Sequence, residues 1–192
     1  MAELPGLTER RKAATRFEVA REAVRLFTSK GVAGTSAEEI AAAAGISVRT
    51  LWRYFPSKES CVWPLLSAGI QTLAESLREW PPGRDLADLL DGDEDSLADL
   101  PAMLALIRLT RTEPSLRAVW LRSHDDAEPL LVAALADRSG LAPDDLRVRV
   151  HAAMINSALR VAVEQHAFGQ TEGDLVADLR AALRIATSGL PD

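Results

Sequence analysis

The chain has 192 residues, 47% hydrophobic and 26% charged, with 22 basic against 28 acidic side chains and a formal net charge of −6. That composition suits a globular chain with a real core and excludes a polycation that coats nucleic acid. Aromatic residues, at 5%, are too few for a single-strand stacking platform, and one cysteine, Cys61, excludes an intrachain disulfide and a cysteine-only metal cluster.

The charge is uneven. Residues 1–60 hold ten Lys/Arg and seven Asp/Glu, whereas residues 61–192 hold twelve and twenty-one. The first part can approach a polyanion and the second is repelled by one, which suggests two modules with different partners. Residues 1–16 are charged and lack the apolar stretch of a signal peptide. No apolar run reaches the ~18 residues of a membrane helix, so the expectation is a cytoplasmic protein without membrane contact.

Apolar residues recur at helical spacing, and alternating strand-like runs are absent, so the predicted fold class is all-α. A first helix is expected over 8–30, where Val19, Ala20, Ala23, Val24 and Phe27 form one apolar face and Gly31 ends the last turn. Ser36 and Glu39 make a capping box for a short helix ending at Ala44. Ser47 caps a third helix running to Tyr54, which Pro56 stops. The turn Ala44-Gly45-Ile46-Ser47 makes this pair a helix-turn-helix, with Ile46 and Leu51 buried against Ile40, Ala41 and Ala44. A fourth helix is expected from Ser57 to Trp80, with a bend at Pro64. Beyond it the pattern gives a weak helix at 86–90 and longer ones at 96–112, 114–138, 143–168 and 172–188. Pro114 suits a first turn, and Pro129 is expected to kink or split its helix.

The stretches Ala23-Val24-Arg25-Leu26-Phe27, Gly34-Thr35-Ser36, Ile40 to Ser47 and Thr50-Leu51-Trp52-Arg53-Tyr54-Phe55-Pro56-Ser57-Lys58 resemble the DNA-binding domain of the tetracycline-repressor (TetR/AcrR) family. The resemblance covers about a quarter of the chain. It implies a helix-turn-helix DNA-binding domain over 1–58 and a helical bundle over 59–192 for ligand binding and dimerisation. The implied function is a ligand-responsive repressor that binds a palindromic operator as a homodimer. Less closely, Leu116 to Arg122 and Leu141 to Leu146 look like members with acyl-CoA-type ligand domains.

By matched position, Ser36, Ser47, Val48, Arg49, Thr50, Trp52, Arg53, Tyr54 and Lys58 face the duplex. Arg49 has the fork that reads guanine, Val48 and Thr50 have methyl groups for thymine, and Ser36, Tyr54 and Lys58 suit phosphates. Arg10-Arg11-Lys12 is a candidate arm for the neighbouring backbone. Two copies are needed for specificity, so a homodimer is expected through the last two helices. The expected seam is Ala152, Ile155, Leu159 and Ala162 with Leu175, Leu179 and Leu183.

A small-molecule effector is expected in a pocket lined by Trp63, Leu66, Met103, Ile107, Trp120, His124, Met154 and Phe168. His124, Asn156 and Arg160 would orient its head group. The acidic bundle favours a neutral or cationic ligand; Arg108, Arg111, Arg117 and Arg122 could form a basic mouth for an acyl-CoA. No cofactor or metal is expected, since the three histidines are scattered and Asp91, Asp93 and Asp95 lack the Gly and Glu of a calcium loop. No nucleophile elbow, phosphate loop or dinucleotide fingerprint is present, so no catalytic residue is assigned.

Overall fold

The computed structural model describes residues 6–81, 84–90, 99–169 and 173–188. Among these residues the secondary structure is helical throughout. The N-terminal helices are α1 (Leu7–Lys30), α2 (Ala37–Ala43) and α3 (Val48–Tyr54). A 3-10 turn (Glu59–Val62) leads into α4 (Trp63–Glu79), and a second one spans Leu86–Leu90. The bundle is completed by α5 (Leu100–Leu109), α6 (Pro114–Ser139), α7 (Leu146–Phe168) and α8 (Leu175–Ser188). None of the described helices is long and apolar enough to cross a membrane. Part of the expected helix at 96–112, and the start of that at 172–188, lie outside the described residues.

The local signals act where they were read. Ser36 closes its capping box, its hydroxyl accepting from Glu39 N at 3.2 Å while the Glu39 carboxylate accepts from Ser36 N at 2.8 Å. Gly45 takes φ 65°, and the N–H of Ile46 bonds back to Ala41 O at 2.9 Å. This glycine cap ends α2 and sets the angle at which α3 leaves it. Gly34 has a different reason: a Cβ there would lie 2.5 Å from the Lys30 carbonyl oxygen, so no side chain fits.

Two expectations about proline are corrected. The fourth helix does not run from Ser57: a 3-10 turn intervenes, and Pro64 sits in the first turn of α4, where its missing N–H costs nothing and no bend results. Pro129 does not split α6, which continues through it to Ser139. The ring is exposed, and the carbonyl it leaves without a donor, on Asp125, belongs to an exposed residue open to water.

Two apolar cores hold the molecule together. The first joins the α1 stripe (Val19, Ala20, Ala23, Val24 and Phe27) to Ile40, Leu51, Cys61, Val62, Leu106, Leu116 and Trp120. The second, farther along the bundle, joins Ile70 and Leu73 of α4 to Leu131, Ile155, Leu159 and Leu183. The first core crosses the boundary at residue 58 without a break. The helix-turn-helix therefore sits directly on the bundle, and α4 runs from one core into the other.

Candidate nucleic-acid interface and interior polar cluster

Helix α3 divides its residues by face. Leu51 is fully buried and anchors the helix, while Val48 is half-buried against the same core. Arg49, Trp52 and Arg53 point outwards and line a surface depression. Trp52 is 46% exposed, so it is not an interhelical packing residue. Ser47 caps α3 by accepting from Thr50 N at 3.1 Å, and its Oγ lies 2.9 Å from Thr50 Oγ1. Tyr54 is half-buried, its ring flanked by the guanidinium groups of Arg16 at 5.3 Å and Arg53 at 5.0 Å. One exposed face thus carries two guanidinium forks, an indole and two hydroxyls at the end of a capped, core-anchored helix.

Lys58 is the main departure. Its ammonium donates to Val32 O at 2.7 Å and Thr35 O at 2.8 Å, so two of its three protons tie the loop after α1 to the segment after α3. The side chain is first a brace between the helices of this domain, a role no local signal reveals. The Arg10-Arg11-Lys12 tract is part of α1; Lys12 pairs with Glu9 at 2.7 Å, which holds Glu9 below the usual carboxylate range.

Within the bundle, the expected head-group residues meet on facing sides of α6 and α7. Asn156 Nδ2 donates to His124 O at 3.0 Å, and His124 Nδ1 lies 2.7 Å from Asn156 Oδ1. Trp120 stacks edge-on against His124 with ring centroids 4.2 Å apart. Trp120 Nε1 donates to Glu164 Oε1 at 2.7 Å; Arg117 bonds the same oxygen at 2.5 Å, and Arg160 reaches the carboxylate at 3.3 Å. Burial pushes the Glu164 carboxyl up, but the bonds from Trp120 and Arg117 outweigh it and leave the pKa below its usual value. Glu164 was missed in the sequence although a signal exists: Asn156, Arg160 and Glu164 repeat every four residues along α7.

The remaining pocket residues scatter. Ile107 and Leu66 are core, Met103 and Phe168 are half-buried against it, and Trp63 is half-buried at the start of α4. Met154 is corrected: it is 39% exposed and points away from the bundle interior. The basic mouth is largely spoken for. Arg108 donates to Ala167 O, Arg111 lies over the Phe168 ring, Arg117 pairs with Glu164, and Arg122 pairs with Asp126. Among the described residues no group of three His, Cys, Asp or Glu side chains could hold a metal ion. Burial pushes the Cys61 thiol up to about 12, which makes it an inert core residue.

The expected dimer seam is also corrected. Ala152, Ile155, Leu159, Ala162, Leu175 and Leu183 are buried within the single chain, and Leu179 is half-buried on both cores. They join α7 to α8 and to α4, so that face is already used. The faces left outside carry Leu146, Val150, Met154 and Val161 on α7 and Ile185 on α8, all more than a third exposed.

The buried imidazole gives a pH expectation. Desolvation lowers the His124 pKa below its usual 6.5, more than the Asn156 bond raises it. The folded state keeps the ring neutral while the unfolded chain takes up a proton, so stability is full above pH ~6.5 and declines as pH falls below it. Thermal melts from pH 7.5 to 5.5 should show that decline, and His124→Phe should flatten it. An unchanged slope in the variant would exclude His124 as its source.

These features define a helix-turn-helix protein in which the second helix of the motif, α3, is anchored on an all-α bundle and keeps one face exposed. Residues 20–62 match the family model described as bacterial regulatory proteins, tetR family, and residues 96–191 match the MftR C-terminal domain. The chain is 31% identical over 170 residues to the HTH-type transcriptional regulator TcmR of Streptomyces glaucescens, covering 82% of this chain and 75% of TcmR. Its fold is similar to that of the regulator FadR from Bacillus subtilis, solved with stearoyl-CoA (TM-score 0.61, 20% identity, 91% of this chain and 99% of that one). It is also similar to Thermus thermophilus FadR, solved with lauroyl-CoA (TM-score 0.58, 24% identity, 92% and 95%). The chain belongs to the TetR family of bacterial transcriptional regulators and is a DNA-binding regulator of that family.

Proposed function

We propose that the protein is a ligand-responsive repressor that binds a palindromic operator as a homodimer, with residues 1–58 on the DNA and 59–192 providing the effector site and the dimer contact. The observation that carries this is the division of α3: Leu51 is locked in the core while Arg49, Trp52 and Arg53 stand exposed together on one face. A major groove accepts such a helix, and base edges there are read by forks and methyl groups. Ser36 and Ser47 cap α2 and α3, each accepting through a hydroxyl lone pair from the first turn of its helix. One module makes too few contacts; two, spaced by about one helical turn (~34 Å) or a multiple of it, read a palindrome.

The test is selection of binding sites from random duplex DNA by the full-length protein, followed by titration of the winning sequence against salt. A palindromic consensus, with affinity falling by roughly 0.9 log units per log unit of salt for each phosphate neutralised, is expected. Enrichment of no duplex sequence would end the proposal.

The dimer contact fits the exposed face of α7. Leu146, Val150 and Met154 follow one another every four residues, and Val161 continues the line. A second copy related by a twofold axis would cover this face with its own. Val150→Asp places a charge there twice per dimer and should weaken dimerisation about 100-fold or more. Sedimentation equilibrium reads this directly, and operator binding should fall with it. A Val150→Asp protein that stays dimeric would move the interface elsewhere.

The acyl-CoA complexes of the two FadR proteins make an apolar effector with a polar head a reasonable class for the bundle. The Arg117–Glu164–Arg160 cluster would be its polar partner, and α4, which joins both cores and leads from the helix-turn-helix, would carry the change. An effector shifts the equilibrium only by its preference for the non-binding arrangement.

A further inference from the structure

Buried polar side chains lie where the two apolar cores meet. On α4, Ser67 lies between Leu66 of the first core and Ile70 of the second. On α6, Ser123 and His124 lie between Trp120 of the first and Ala127 of the second. On α7, Asn156 faces His124. All four side chains are at most 7% exposed. Helix bundles do not break their apolar core with polar groups unless those groups are bonded, because an unbonded one costs most of its lost hydration.

Three of the four groups account for themselves. Ser67 Oγ donates to Pro64 O, Ser123 Oγ donates to Trp120 O, and Asn156 bonds His124 twice. His124 does not. Asn156 Nδ2 must donate to the His124 carbonyl, so the amide oxygen is the atom facing Nδ1. An oxygen there accepts, which places the ring proton on Nδ1. Nε2 therefore carries a lone pair, is fully buried, and meets no donor among the described residues. The ring stays neutral because burial opposes its protonation, and the Arg160 charge adds to that. The charged groups that act on it, Arg160, Glu164 and Asp125, do not bond it.

The geometry points to His124 Nε2 as the hydrogen-bond acceptor of an internal site, among the polar side chains where the two cores meet, for a largely apolar molecule carrying a single O–H or N–H donor. This inference rests on the ligand-responsive function proposed above and narrows its effector: a donor is required, and a bare hydrocarbon body is not enough. The body of such a molecule would lie against the apolar residues on either side of His124. The donor is selected because leaving a buried acceptor unpaired is costly, whereas an isostere without the donor leaves it so.

Phenol and toluene make the probe pair, since they differ only by hydroxyl against methyl. With imidazole nitrogens labelled, the full-length protein is titrated with each, and His124 is assigned by the signal missing from His124→Phe. The free protein should show the Nδ1–H tautomer, and phenol should move the Nε2 signal in the sense of an accepted hydrogen bond. Toluene should bind about tenfold more weakly than phenol, and His124→Phe should level the two. Should His124→Phe fail to fold, the nitrogen shift in the natural protein still decides. Equal binding of both probes, no binding of phenol, an unmoved Nε2 at phenol saturation, or an ordered water at Nε2 that phenol does not displace would each overturn the site.

Operator affinity is measured alongside. Phenol bound at Nε2 with operator affinity unchanged would uphold the site and overturn ligand-controlled release. Operator release with Nε2 unmoved would overturn the site and leave ligand control standing.

Discussion

Leu51→Ala should cost about 2–5 kcal/mol of stability. The side chain is wholly buried and fixes α3 to the core that α1, α2 and the first turn of the bundle share. A seven-residue helix cannot hold itself in water, so its order comes from that anchor. The melting midpoint should drop by roughly 5–20 °C for a chain of this size. Operator binding should fall further than the unfolded fraction explains, because α3 loses its fixed angle before the bundle melts. Leu51→Met keeps the volume and should cost less than about 1.5 kcal/mol. Thermal melts with operator titrations at 10 °C separate the two effects. A Leu51→Ala protein with near-natural stability would show that α3 is held from elsewhere.

Arg49→Ala should weaken binding to the selected operator by about 1–3 kcal/mol, roughly 5- to 150-fold, with little change on unrelated DNA. Arg49 is exposed and, among the described residues, has no hydrogen bond or ion pair to give up, so its fork is available to a base pair. Arg49→Lys should recover only part of the loss, since an ammonium cannot make the paired contact. The discriminating measurement is the salt slope. If Arg49 reads a base, affinity for the operator falls while the slope holds. A uniform loss on all sequences, with a shallower slope, would assign it to phosphate instead.

The N-terminal module was almost wholly legible. Ser36 with Glu39, Gly45 and Ser47 act within a few residues of themselves, so the chain spells out each turn where it occurs. The division of α3 was legible as well, since a core residue at 51 places 49, 52 and 53 on other faces of a helix. Lys58 was not, because its partners Val32 and Thr35 come from a loop more than twenty residues earlier. Pro64 is ambiguous in the sequence for a related reason: a proline marks a helix start or a helix bend equally well, and only where the preceding turn stops decides between them.

The bundle shows the same limit on a larger scale. An all-α chain and helices at 96–112, 114–138, 143–168 and 172–188 followed from the 3.6-residue period, and the described helices at 100–109, 114–139, 146–168 and 175–188 fall within a few residues of those bounds. Which stripe faces which neighbour did not follow. The leucine and alanine seam on α7 and α8 has the periodicity of a dimer contact, yet it is filled by the chain's own α4 and α6, and the second apolar line, from Leu146 to Val161, is the one left outside. The polar residues of α6 and α7 were visible one at a time, but their meeting at Glu164 and the unanswered nitrogen of His124 depend on two helices lying side by side. Hydrophobicity records that a side chain avoids water, and capping records where a helix begins. Neither records what will be packed against it, and that choice is made only when all the helices come together.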